Sequence, residues 1–215
     1  AGRLVEQGFK IIKIIATSDS ERDIVRIKAV KKEFGDEISL YFDCEGKYSS
    51  SAAEAFVLDT GGDLAYIEQP AAGNDIDGLA QIAATSPVPV IADESVRSAA
   101  QALDVFRRGI NVINVKLMKC GGISEAFRIC EVAQAYGASV VIGAGAEVPI
   151  SISAAAHLAL SHKAVLFSDL CGHLELDQHA ASSGLTIDRG LISIKSSPGL
   201  GVEIRKNYLR QTENT

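Results

Sequence analysis

Several residue patterns that mark particular protein classes are missing from this 215-residue sequence. It contains no tryptophan and one methionine, and aromatic residues make up only 6% of it. The four cysteines form no C-x-x-C pair, a spacing that argues against a zinc ribbon or a thioredoxin-type redox site. Dispersed cysteines of this kind are typical of reduced thiols, and we therefore expect a cytoplasmic protein.

The sequence also lacks an excess of basic charge and a long apolar run. Its formal net charge is −6, without the basic character of a nucleic-acid-binding protein. No apolar run reaches the roughly 18 residues that a membrane-spanning helix needs, and residues 1–8 do not resemble a signal peptide. We expect neither a nucleic acid nor a membrane as a partner.

What the sequence does contain is a regular alternation of strand-like and helix-like segments. Apolar, β-branched runs recur about every 25 residues, with helical patterns between them. The predicted strands span residues 9–16, 38–43, 64–68, 88–93, 112–116, 139–143 and 164–169. This spacing predicts right-handed parallel β/α units. Because the alternation ends after Asp169, residues 1–171 are predicted as one domain, and residues 172–215 as a C-terminal extension packed on it.

Charged residues stand at the C-terminal ends of successive predicted strands. Asp43, Glu68 and Asp93 are spaced 25 residues apart, Lys116 follows 23 residues later, and Asp169 ends the last strand. An open doubly wound sheet would spread these residues along one edge, whereas a (β/α) barrel gathers strand ends at one mouth. Three consecutive acids favour the barrel. Since a barrel needs eight strands, the first strand would be missing.

Three carboxylates on adjacent strands predict a magnesium site. Mg²⁺ prefers an octahedron of oxygen ligands, and Asp43, Glu68 and Asp93 would leave positions for water or substrate. The alternative for any single acid is pairing with a neighbouring base or capping a helix. Lys116 is a candidate proton-transfer base, with a pKa lowered by burial and by the cation. Lys119 and the following glycines are expected to shape the next turn.

Five motifs carry a resemblance to a known family. The motifs are Gly8-Phe9-x-x-x-Lys13, Asp43-x-x-Gly46, Ile67-Glu-Gln-Pro70, Ala92-Asp-Glu-Ser95 and Lys116-Leu-Met-Lys-Cys-Gly-Gly122. With them the sequence resembles the barrel domain of the muconate-lactonizing and mandelate-racemase branch of the enolase superfamily. Within that branch the resemblance is greatest to dipeptide epimerases and muconate cycloisomerases.

The resemblance implies a TIM-type barrel and a Mg²⁺-dependent isomerase, epimerase or cycloisomerase. Such an enzyme removes the proton next to a substrate carboxylate through an enediolate. The implied substrate is a small carboxylate, with a dipeptide as one candidate. The resemblance implies that Asp43, Glu68 and Asp93 bind the metal and that Lys116 transfers the proton. Glu94 would support the metal ligands. Glu147 would lie at the mouth of the barrel, and Asp169 would bind a substrate ammonium.

The sequence departs from the family pattern on its first predicted strand. The family carries Lys-x-Lys there, and the second lysine is the opposing base, but this chain reads Lys13-Ile14-Ile15. Ile15 occupies the base position and offers no proton acceptor. Lys13 faces the same side and is expected to help neutralise the carboxylates, with service as a substitute base as the alternative. Asp169-Leu170-Cys171 also replaces the Asp-x-Asp of the epimerases, which weakens the prediction of a dipeptide substrate.

The family's N-terminal capping domain and first barrel strand have no counterpart in this sequence. The first and last predicted strands would then expose unpaired edges. We expect a fragment, a homo-oligomer, or association with a chain that supplies the cap. Two further functions stay open because of Ile15. One is a catalytically impaired relative acting as a binding or assembly subunit, and the other is a one-base lyase that uses Lys116 alone.

Overall fold

Seven parallel strands alternate with helices in residues 1–175 and 181–205, the parts of the chain that the computed structural model describes. The strands hydrogen-bond in sequence order, each to the next along the chain. They are β1 (Ile11–Ile15), β2 (Ser39–Asp43), β3 (Tyr66–Glu68), β4 (Val90–Ala92), β5 (Val112–Val115), β6 (Ser139–Gly143) and β7 (Val165–Asp169). The predicted parallel β/α repeat is confirmed, although most strands are shorter than predicted.

The helices begin where the sequence provides side chains that cap them. Asp19, Ser49, Asp75 and Ser98 each accept a hydrogen bond from a backbone N–H in the first turn of the helix that follows. The helices are α1 (Gly2–Glu6), α2 (Ser20–Phe34), α3 (Ser50–Thr60), α4 (Ile76–Thr85), α5 (Ala99–Arg107), α6 (Leu117–Cys120), α7 (Ile123–Tyr136) and α8 (Pro149–Ser161). None of those described combines the length and apolar character needed to cross a bilayer.

The sheet curls until its early and late strands meet. Tyr41 on β2 lies 5.9 Å, ring centre to ring centre, from Phe167 on β7, although four strands separate them in the sheet. Both rings belong to a small apolar cluster with Ile91, Val112 and Val141, distinct from the larger core between sheet and helices. The small cluster fills the inside of a barrel, as the side-chain layers of a TIM-type fold do.

The barrel is incomplete between β1 and β7. In the described ranges no backbone pairing joins these two strands. Ile11 on β1 and Leu166 on β7 are 42% and 49% exposed, whereas every residue of β4 and β5 is buried. The two edges are linked at their C-terminal ends, where the Lys13 ammonium lies 3.3 Å from Asp169 Oδ2. The gap stands where the first barrel strand was predicted to be missing.

A C-terminal hairpin of β8 (Leu185–Asp188) and β9 (Leu191–Ile194) lies against the barrel. The Gly184 N–H donates to Ser153 Oγ on α8 at 3.2 Å. At the hairpin turn, a β-carbon added to Gly190 would come within 2.8 Å of Phe9 Cα. The hairpin therefore contacts both α8 and the segment before β1. Residues 176–180 and 206–215 of the predicted extension lie outside the described ranges, and the domain boundary at residue 171 stays a prediction.

Candidate active site

Three buried carboxylates meet at the C-terminal ends of β2, β3 and β4. Asp43 and Glu68 are paired in the strand register, and Asp93 directly follows β4. One oxygen from each lies within 4.8 Å of the others, and the residues are only 4%, 0% and 1% exposed. Such burial is costly without compensating cations. The three residues, which we call the carboxylate group, could hold a metal ion, and oxygen ligands suit a hard cation such as Mg²⁺.

Lys13 is bound to the carboxylate group from β1. Its ammonium lies 2.8 Å from Asp43 Oδ2 and 3.0 Å from Glu68 Oε2, in addition to the contact with Asp169. Burial would lower the pKa of Lys13, but Glu68, Asp43 and Asp169 together outweigh that effect and hold its pKa well above the ordinary value. A lysine held in its charged form is a poor proton acceptor. This arrangement favours the neutralising role for Lys13 over that of a substitute base.

Two further lysines contact Asp93. Lys116 Nζ lies 2.5 Å from Asp93 Oδ2, and Lys119 contacts the other carboxylate oxygen. Lys119 also donates to the backbone oxygens of Asp93 at 2.5 Å and Asn114 at 2.8 Å. Lys119 lies in the segment whose turn it was expected to shape, but its contact with Asp93 was not predicted. Helix α6 begins directly after Lys116, and one helical turn brings Lys119 to the same side. The Lys-x-x-Lys spacing was the signal for this contact.

The charges at the site shift several pKa values. Burial lowers the pKa of Lys119 below its ordinary value, and Asp93 offsets only part of this effect. For Lys116, burial acts in the same direction, but Asp93 outweighs it and the pKa is raised. Asp93 thus stabilises the Lys116 ammonium when no cation is bound, and the fall in pKa expected in the presence of a cation stays a prediction. Burial and the neighbouring Asp93 raise the pKa of Glu68, while Lys119 and Lys116 lower that of Asp93 against the effect of burial.

Gln69 joins the ends of β3 and β4. Its side-chain oxygen accepts from the Asp93 N–H at 2.8 Å, and its side-chain nitrogen donates to Ser95 Oγ and to the Ala71 carbonyl oxygen, both at 2.9 Å. The residue is fully buried and has a φ of 38°, an uncommon value for a non-glycine residue. This role was not predicted from the sequence, although Gln69 is part of the Ile67-Glu-Gln-Pro70 motif.

Asn114 is a second buried amide whose role was not predicted from the sequence. It lies in the otherwise apolar strand β5, and its Nδ2 donates to Glu68 Oε1 at 2.6 Å. Both residues are 0% exposed. A polar residue within a buried apolar strand was the available signal, since buried polar groups generally have a specific partner.

Glu94 and Glu147 lie differently from the carboxylate group. Glu94 directly follows Asp93, and its pKa is raised by burial and then by Asp93. Glu147 accepts hydrogen bonds from the Gly145 N–H at 3.2 Å and from Ser151 Oγ at the start of α8. Across the described ranges no ion pair joins Glu147 to Lys13, Lys116 or Lys119, the lysines of the site. Glu94 thus borders the site, whereas Glu147 is engaged with the loop between β6 and α8.

Ile15 lies beside the carboxylate group with no polar atom in its side chain. It pairs with Asp43 in the register of β1 and β2, and it is 48% exposed. Strand alternation places it on the same face of β1 as Lys13. On that side of the site, the position that the family resemblance assigns to a base therefore carries an apolar side chain.

Comparison with known proteins identifies relatives that match more than nine-tenths of this chain. The sequence model of the enolase C-terminal domain-like family matches residues 1–208. The L-Ala-D/L-Glu epimerase of Bacillus subtilis is 33% identical over 207 residues, which are 94% of this chain and 57% of that protein. The N-succinyl-L-Arg/Lys racemase of Bacillus cereus is 29% identical over 98% of this chain and 58% of its own length.

A solved structure has the same fold. The dipeptide epimerase of Cytophaga hutchinsonii, complexed with Mg and the dipeptide D-Ala-L-Val, matches with a TM-score of 0.91 and 28% identity. The match covers 96% of this chain and 57% of that one. This chain therefore spans little more than half the length of the relatives it matches.

Proposed function

Because this chain belongs to the enolase C-terminal domain-like family, we propose that it is the barrel of a Mg²⁺-dependent enzyme that removes the proton next to a substrate carboxylate. Lys116 would be the base. The observation that carries this proposal is the 2.5 Å contact between Lys116 Nζ and Asp93, a member of the carboxylate group. The epimerase and racemase activities named for the relatives support the reaction class.

The residues of the carboxylate group fit a magnesium ion. All three offer hard oxygen donors close to one another. In the described part of the chain Glu68 Oε2 makes no hydrogen bond, although the Lys13 ammonium lies 3.0 Å away, so this buried oxygen has capacity for a ligand. Mg²⁺ held there by Asp43, Glu68 and Asp93 would act as a Lewis acid that stabilises negative charge developing on the substrate carboxylate.

The lysines around the carboxylate group would have separate tasks. Lys116 would accept the substrate proton at Nζ in its neutral form, which requires that the hold of Asp93 on its proton be weakened. Lys119, bound to Asp93 and to two backbone oxygens, would keep that carboxylate in place. Lys13 would remain charged and stabilise Asp43 and Glu68. Glu94 would contribute negative potential near Asp93.

The substrate would be a small carboxylate, and a dipeptide remains one candidate. Asp169 carries the negative charge needed to hold a substrate ammonium, but its carboxylate is shared with Lys13. Glu147, bound within its own loop, would contribute to the wall of the mouth. With Ile15 on the opposite side, proton transfer between Lys116 and the substrate would take place on one face alone. We therefore propose one-sided proton transfer, as in cycloisomerisation, elimination by a one-base lyase, or exchange without inversion.

A second candidate function is a catalytically impaired relative that keeps the carboxylate group and acts as a binding or assembly subunit. The observation that favours it is again Ile15, which leaves the site without a second base. The exposed edges of β1 and β7 support an association in which another copy, or a chain supplying the cap, covers them. Size-exclusion chromatography with light scattering tests this association, and a monodisperse, well-folded monomer would contradict it.

The experiment that tests the proposed function is Mg²⁺-dependent exchange of the α-proton for deuterium, followed by NMR across a panel of carboxylates and dipeptides. We expect exchange that requires Mg²⁺ and is lost in Lys116→Ala. The matched control is Lys28→Ala, which removes a lysine of an exposed ion pair with Asp59. Mg²⁺ binding without exchange of any substrate would overturn the catalytic proposal and favour the binding or assembly role.

A further inference from the structure

The hydrogen bond between Asn114 and Glu68 crosses the inside of the barrel. Asn114 stands on β5 and Glu68 on β3, with β4 between them in the sheet. In a TIM-type barrel, side chains from alternate strands share one interior layer. The 2.6 Å contact between Asn114 Nδ2 and Glu68 Oε1 is such a same-layer contact, and it fixes one of the two carboxylate oxygens.

The other oxygen of Glu68 points toward the rest of the carboxylate group. Glu68 Oε2 lies 3.0 Å from the Lys13 ammonium, which in turn lies 2.8 Å from Asp43 Oδ2. The amide on Oε1 therefore sets the rotation of the carboxylate and presents Oε2 to the shared site. Because an amide is neutral, Asn114 orients Glu68 without supplying a positive charge that would compete with a cation, unlike a lysine in that place.

The absence of a side chain at Gly143 makes room for Asn114. Gly143 ends the neighbouring strand β6, and a β-carbon built on it would lie 2.4 Å from Asn114 Oδ1 and 2.8 Å from Nδ2. Its φ lies outside the positive range, so the backbone conformation does not require glycine there. The space that it leaves is filled by the amide.

Asn114 also contacts the other side of the site through its backbone. Its carbonyl oxygen accepts from Lys119 Nζ at 2.8 Å, and the same ammonium binds Asp93. The side chain of this residue thus holds Glu68, and its main chain holds the lysine that fixes Asp93. Strand β5 connects the two carboxylates through a single residue.

We propose that Asn114 is a positioning residue that fixes the Glu68 carboxylate for a divalent cation, and that Gly143 is glycine because Asn114 needs its space. This inference rests on the proposed metal site. It concerns affinity for the ion itself and can be measured with no substrate. Groups that orient metal ligands in this way commonly contribute about 10- to 100-fold to metal affinity.

The test is the dissociation constant for Mg²⁺, measured by isothermal titration calorimetry on the whole protein, with thermal unfolding recorded for each variant. Asn114→Leu removes the donor at similar volume, and we expect the constant to rise about 10- to 100-fold. Gly143→Ala keeps every hydrogen-bonding group but displaces the amide, and the constant should also rise. In an Asn114→Ala background, Gly143→Ala should have no further effect, because the added β-carbon then meets no amide.

Two control variants separate orientation from general stability. Thr60→Val removes another buried hydrogen bond, from Thr60 Oγ1 to the Phe56 carbonyl oxygen, and Gly62→Ala adds a β-carbon with nothing within 4 Å. Neither should change Mg²⁺ affinity. If Asn114→Leu does not fold, Gly143→Ala and its double variant decide the question.

The outcomes distinguish this proposal from the proposed function. If the unmodified protein does not bind Mg²⁺, the metal assignment and this proposal both fail. If it binds Mg²⁺ and the folded Asn114 and Gly143 variants bind equally well, only the positioning role is overturned. The positioning role is also overturned if Thr60→Val weakens Mg²⁺ binding as much as the Asn114 and Gly143 variants do. The loss of affinity would then result from the loss of stability.

Discussion

Lys13 and Ile15 lie two residues apart on one face of β1, and they contribute opposite properties to the same site. Lys13 binds Asp43 and Glu68, whereas Ile15, paired with Asp43 in the strand register, presents an apolar side chain that is 48% exposed. One side of the carboxylate group therefore carries the Lys13 ammonium, and residue 15 on that side offers no proton acceptor. The other side carries Lys116.

Introducing an amine at residue 15 should create a second base. With Ile15→Lys, protons could be delivered to and removed from both faces of the α-carbon, and inversion of configuration should appear or increase. A positioned general base contributes about 10²- to 10⁴-fold to rate. Chiral chromatography of the product measures inversion, with Ile15→Met as a control of similar length without an amine. Equal inversion by both variants would show that the amine is not used.

Loss of Lys119 should destabilise the fold, because it leaves Asp93 buried with one cation fewer. Breaking a buried ion pair by removing one partner costs about 3–5 kcal/mol. We expect Lys119→Met to lower the free energy of unfolding by an amount of this order in urea titrations. Lys28→Met removes a lysine that is 52% exposed in its pair with Asp59 and should cost about 1 kcal/mol or less. If the two variants lose similar amounts of unfolding free energy, burial of the ion pair does not make Lys119 more important for stability than Lys28.

The buried carboxylate of Asp23 should make stability depend on acid pH. Burial acts to raise its pKa, but hydrogen bonds from Thr17, Tyr48 and Arg26 outweigh this effect and hold the pKa below the ordinary 3.8. A depressed carboxyl pKa contributes stability above the unfolded-state value and loses it as the pH falls.

Unmodified protein should therefore lose more stability below about pH 4 than Asp23→Asn, which has no carboxylate to protonate. At neutral pH the variant should be less stable by about 1.5–3 kcal/mol, the range for hydrogen bonds to a charged group. Urea unfolding at pH 3 and pH 7 measures both effects. If both proteins lose the same amount of stability between pH 7 and pH 3, Asp23 is not the source of the pH dependence.

The close contact between the C-terminal hairpin and the segment before β1 should be sensitive to one methyl group. Gly190 has a φ of 75°, and an added β-carbon would lie 2.8 Å from Phe9 Cα. Gly109 has a φ of 88° with nothing within 4 Å, so Gly109→Ala tests the backbone conformation alone. That conformation costs about 1–2 kcal/mol, and overpacking in Gly190→Ala adds about 1–3 kcal/mol. Thermal unfolding measures the loss of stability in each variant. If Gly190→Ala and Gly109→Ala lose the same amount, the contact between Gly190 and Phe9 does not add to the cost of the substitution.

Features that depend on chain periodicity could be predicted from the sequence. The parallel strands and the convergence of Asp43, Glu68 and Asp93 follow from the β/α repeat, because each repeat places its strand end at the same mouth. The spacing from Lys13, in the family's Lys-x-Lys pattern, placed Ile15 where the family has its second lysine. Whether each of these residues serves the reaction remains a prediction.

Features that depend on side-chain direction between non-neighbouring strands could not be predicted in this way. The contact of Asn114 with Glu68 crosses β4, and that of Lys119 with Asp93 depends on the short helix α6. Gln69 reaches Asp93 through an uncommon backbone angle. The 2.5 Å contact between Lys116 and Asp93, which raises the Lys116 pKa when no cation is bound, is also not given by the sequence.

The arrangement of lysines among acids at the mouth of the barrel defines a formal charge balance. Four carboxylates, those of Asp43, Glu68, Asp93 and Asp169, are in contact with three ammonium groups, those of Lys13, Lys116 and Lys119. The cluster is therefore one negative charge from neutrality. A divalent ion would change its sign to a single positive charge, and one substrate carboxylate would then neutralise it. Electrostatic balance would thus order the two binding events, with the ion favouring subsequent entry of a monoanion.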